Sequence, residues 1–75
     1  MTKKEKKMLE IKATIDAIAT KYGVRCLRAI FNIQATLDIE LDQNIYCKEQ
    51  AKMEQEIKNA VKPYIVNDIY YRDIA

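Results

Sequence analysis

The chain's only glycine, Gly23, stands where a run of apolar residues with helical spacing stops, and no other position constrains the fold as much. Before it, Met8, Ile11, Ile15, Ile18 and Tyr22 recur at intervals of three and four, which gathers them on one face of an α-helix. Thr2 and Glu5 have the T-x-x-E form of a capping box, so the spacing predicts a helix from about residue 3 to 22. Glycine readily takes the left-handed conformation that closes a helix, and Lys21 places a cation in the last turn, where the helix dipole favours it.

Two patterns compete for the next segment. Cys26, Ile30, Ile33, Leu37 and Leu41 form a second helical stripe, which predicts a helix from about 24 to 41 packed on the first. In the same stretch Ile33, Ala35, Leu37, Ile39 and Leu41 alternate with Asn32, Gln34, Thr36, Asp38, Glu40 and Asp42, the period of a half-buried strand. Gln, Ala, Leu, Asp and Glu are poor strand formers as a group, so the helix is preferred, although it leaves Ile39 on the outer face.

Farther on, Tyr46, Met53, Ile57, Ala60, Val61 and Tyr64 mark a third helix of about 45 to 62, limited by Pro63. Were residues 42 to 44 not to break the chain, the second and third helices would fuse into a rod that only other copies could cover. The tail from Tyr64 to Ile74 reads either as two short strands about an Asn67-Asp68 turn or as a final helix opened by Pro63. The expected fold is therefore all-α, a small oligomeric helical bundle or helical hairpin, in a single domain over 1–75 with residues 1–7 frayed. The alternative is α+β, with strands near 33–41, 64–66 and 69–72.

Composition narrows the function. Among 75 residues there is no His, Ser or Trp, which removes Ser-His-Asp and Cys-His catalysis and His-ligated zinc from what one chain can do. An enzyme is not expected, and neither is a cofactor, a metal or a small-molecule substrate. Cys26 and Cys47 lie far apart without a C-x-x-C pair and read as buried thiols in a cytoplasmic protein with no membrane segment. Residues 1–30 carry eight basic and three acidic groups, and residues 31–75 five basic and eight acidic, a polarity suited to association of the two halves.

Three local patterns suggest binding. Ile18-Ala19-Thr20-Lys21-Tyr22-Gly23-Val24 resembles the middle of a helix-turn-helix, with a small residue four before a turn glycine. The resemblance implies DNA contacts from Arg25, Arg28, Asn32 and Lys21, with Lys3, Lys4, Lys6 and Lys7 on phosphates; Ala29 stands where the pattern wants a larger aliphatic residue. Asp38 to Glu49 resembles a degraded EF-hand loop, but Gln43 occupies the position of the turn glycine, so no metal is expected. Finally, Ile65, Ile69, Tyr70, Tyr71 and Arg72 have the composition of a protein interface, because tyrosine combines a large rigid surface with a polar tip.

The expected function is that of a non-catalytic protein that forms a homo-oligomer and acts by binding another protein. In size and in lacking catalytic residues the chain is similar to phage and bacterial inhibitors and small regulators. A DNA-binding regulator is the alternative.

Overall fold

The first helix begins and ends at its sequence signals. In the computed structural model, which describes residues 2–42 and 47–72, α1 spans Lys3–Lys21. Thr2 Oγ1 accepts the Glu5 N–H at 3.2 Å, and Gly23 closes the helix with φ at +77°. Residues 3–7 are part of the helix. Ile11, Ile15 and Ala19, four residues apart, are buried, flanked by the half-buried Met8, Ile18 and Tyr22.

The predicted second helix is not formed. Its residues make an antiparallel hairpin of β1 (Cys26–Phe31) and β2 (Leu37–Asp42). Asn32 makes the turn. Its Oδ1 accepts the N–H groups of Gln34 at 2.9 Å and Thr36 at 3.2 Å, and its Nδ2 donates to Thr36 Oγ1 at 2.7 Å. Ala35 completes the reversal in the left-handed region, with φ at 61°. The rival period decides the burial: Leu37, Ile39 and Leu41 are fully buried, whereas a helix would have left Ile39 outside.

Helix α2 (Cys47–Ala60) corresponds to the predicted third helix, with Met53 and Ile57 buried. The tail is one strand, β3 (Val66–Arg72), rather than a hairpin or helix, and it lies parallel to β2. A parallel pair needs a crossover, and α2 supplies it. Among the described residues the fold is thus α+β, two helices and a three-stranded mixed sheet ordered β1-β2-β3, and not an all-α bundle. Propensity favoured helix over 24–41, but the sheet face offers Leu37, Ile39 and Leu41 a buried surface that outweighs it.

The core lies between the helices and one face of the sheet. Val24, Cys26, Ala29, Leu37, Ile39 and Leu41 meet Ile11, Ile15 and Ala19 of α1, Met53 and Ile57 of α2, and Val61. Four polar contacts fasten the elements, two between helix and strand and two between the end of α1 and α2. Asp16 accepts the Cys26 N–H at 2.9 Å, Lys21 pairs with Glu56 at 2.8 Å, Tyr22 donates to Glu56, and Tyr71 donates to Glu54.

Candidate protein-interaction surface

Strand β1 has one unpaired side among the described residues, because β2 occupies the other. The Asn32 N–H donates to the Thr36 carbonyl at 2.9 Å and sets the alternation of the hairpin ladder. Ala29 and Phe31 fall at the positions whose N–H and C=O groups turn away from β2. Unpaired strand edges are usually blunted by charged side chains, proline or bulges. β1, with the sequence CLRAIF, has Arg28 and a register shift between Cys26 and Arg28 at its start, and none of these devices over Ala29–Phe31.

A groove of about 520 Å³ follows this edge, between β1 and the N-terminal half of α1. Met8 and Leu9 form its helical wall, Ala29, Ile30 and Phe31 its strand wall, and Lys4, Glu5 and Lys12 its charged margin. Ala29 and Phe31 point to the core side of the sheet and Ile30 to the opposite side, so a groove touching all three must wrap the edge itself. Leu9 is 54% and Ile30 40% exposed, large values for residues that would otherwise be core material. A second groove, of about 470 Å³, shares Lys4 and Phe31 and continues past the hairpin tip to Ile33 and Tyr64. The Tyr64 ring is held edge-on to Phe31 at 5.4 Å between centroids, with the Lys7 ammonium 5.8 Å above it. Ile33 at the tip is fully exposed.

The residues singled out in the sequence are dispersed. Of the tail, Ile69 and Tyr71 pack against the core, whereas Tyr70 and Arg72 stand on the sheet face turned away from the helices and Ile65 lies exposed before β3. Arg72 pairs with Glu40 at 3.2 Å. Of the residues implied by the helix-turn-helix resemblance, Arg25 is in the loop before β1, Arg28 on the outer sheet face, Asn32 in the turn and Lys21 against Glu56. The recognition helix that would have aligned them is strand β1. Lys4 and Lys7 instead line the grooves, and Lys3 and Lys6 are exposed on the same helix.

The first three carboxylates of the EF-hand-like segment lie along β2, and residues 43–46 of it, like the Cys47 side chain, fall outside the described residues. Alternate residues of a strand share one face, but among the described residues no three carboxylate or thiol groups are grouped so as to hold one ion. Each carboxylate also has its own partner: Asp38 accepts from Asn67 Nδ2 at 2.9 Å, Glu40 from Arg72, and Asp42 from the Arg25 N–H at 2.9 Å.

Comparison with protein-family models, curated proteins and solved structures returned no match. The perturbed titrating groups join elements of the fold. The hydrogen bond to Glu56, with burial, raises the Tyr22 pKa, and the Lys21 and Tyr22 hydrogen bonds lower that of Glu56. Burial pushes the Cys26 thiol up, against the core. None of these groups lines the β1 groove. Among the described residues, no helix is long and apolar enough to cross a membrane.

Sequence reasoning missed the groove because its strand wall was assigned to a helix. One signal was present: Leu9 is the only large apolar residue of α1 that lies off the Met8-Ile11-Ile15-Ile18 face.

Proposed function

We propose that this protein is a non-catalytic binding module that takes up an extended segment of a partner protein along the edge of β1. One observation carries the reading: Ile30 from one face of the strand and Ala29 and Phe31 from the other line a single groove, which therefore runs along the unpaired edge. A segment laid there gains main-chain hydrogen bonds from Ala29 and Phe31. Its alternate side chains enter the space between β1 and α1, as in other recognition by strand addition.

The test is selection of displayed random peptides on the immobilised protein, followed by resynthesis of the binders with single backbone N-methyl groups. Loss of binding on methylating every second residue, together with protection of the Ala29 and Phe31 amides from hydrogen exchange, is the expected result. Ile30→Lys, which puts a charge on the edge, weakens every such binder. Binders indifferent to both N-methylation and Ile30→Lys would refute the reading.

A further inference from the structure

We infer, resting on strand addition at β1, that the segment taken up is acidic at two positions four residues apart with an apolar residue midway between them. Lys4 and Lys12 mark the two ends of the groove's helical wall, with Met8 and Leu9 between them. Eight residues of α-helix span about 12 Å. Four residues of an extended strand span about 13 Å. In a strand the first, third and fifth side chains share one side, so a segment lying along β1 turns these three toward α1. The outer two reach Lys4 and Lys12, and the central one enters the apolar space against Met8, Leu9 and Phe31.

The surrounding charge has the sign this pattern requires. Residues 3–12 hold five lysines against two glutamates, and the N-terminal end of a helix adds positive potential. Glu5 also lines the groove, beside Lys4, and leaves the lysines in the majority there. A second copy of this chain fits less well. Two-fold pairing of β1 with β1 would bring the lysine-rich halves of two α1 helices side by side.

The probes are three short fluorescein-labelled peptides with a common Thr/Val framework and a central Leu, differing only in having Glu, Gln or Lys two residues to either side of it. Fluorescence anisotropy with the full chain is expected to rank them Glu, Gln, Lys. Two solvent-exposed ion pairs should separate Glu from Gln by about tenfold at low salt. That gap narrows as salt is raised. The double variant Lys4→Glu/Lys12→Glu, changed only at exposed positions, should reverse the order.

If the Glu and Lys peptides bind equally and N-methylation still abolishes binding, the acidic preference is overturned and strand addition stands. If none of the three binds while sedimentation shows a dimer that Ile30→Lys dissociates, the inference fails and the edge belongs to a second copy. If none binds and no dimer forms, both readings are overturned.

Discussion

The Tyr71 phenol, near the end of β3, donates to Glu54 Oε2 on α2 at 2.6 Å and so ties the last strand to the helix that delivers it. Burial, then the Glu54 hydrogen bond, raises the Tyr71 pKa well above its ordinary 10.0. The folded chain therefore holds this proton more tightly than the unfolded chain. The resulting stability is present below pH 10 and is lost as pH rises through the alkaline range. Tyr71→Phe should lower stability by about 1 kcal/mol at neutral pH. Urea unfolding at neutral and strongly alkaline pH should show the gap between variant and parent closing above pH 10.

Glu56 gives the opposite dependence. Hydrogen bonds from Lys21 and Tyr22 hold its carboxyl below the ordinary 4.5, so the unfolded chain takes up this proton first as pH falls. Its contribution is present above pH 4.5 and is lost as pH drops through the lowered folded value. Glu56→Gln should thus be less stable than the parent near neutrality, with the difference vanishing in acid. Thermal unfolding followed by circular dichroism across that range checks it.

Two positive-φ positions predict substitutions of opposite sign. Gly23, at φ +77°, has open space around an added Cβ, so Gly23→Ala meets only the backbone penalty, about 1 kcal/mol. Ala35 already bears that penalty at φ 61°, and Ala35→Gly should stabilise by about 0.5 kcal/mol after the added freedom of the unfolded chain is subtracted. Asn32→Ala, which removes the turn's hydrogen-bonding side chain, should cost about 1–3 kcal/mol. Chemical denaturation of the three variants measures all of this.

Neighbouring residues of β3 should behave differently. Ile69 packs against the core, and Ile69→Ala should cost about 2 kcal/mol. Tyr70, 51% exposed on the outer sheet face, should tolerate alanine within about 0.5 kcal/mol. Equal losses from the two would show that the outer face of the sheet is also covered in solution.

Legibility in the sequence followed how local the controlling interactions are. The α1 boundaries were readable because Thr2, Glu5, Lys21 and Gly23 act within a turn of the helix ends. The charged margin of the groove was visible only as a cluster of lysines, and Lys4 was assigned to phosphate because nothing local shows what lies beside it. The hairpin turn was hidden because it uses Asn32 and a left-handed Ala35 where a glycine would have announced it. The tyrosine-rich tail looked like a single surface, but strand alternation sends Tyr71 to the core and Tyr70 to the other face.

By itself, the sequence determined where α1 starts and stops, that α2 presents Met53 and Ile57, and that one chain lacks histidine and serine chemistry. Tertiary structure alone decided between the two periods written over residues 24–41. Both bury apolar side chains, and the strand is the choice that gains a paired neighbour on each side, β1 through the hairpin and the parallel β3 delivered by α2. The same choice left β1 at an edge beside Leu9. The groove beside β1 is thus a product of long-range pairing that no local pattern encodes.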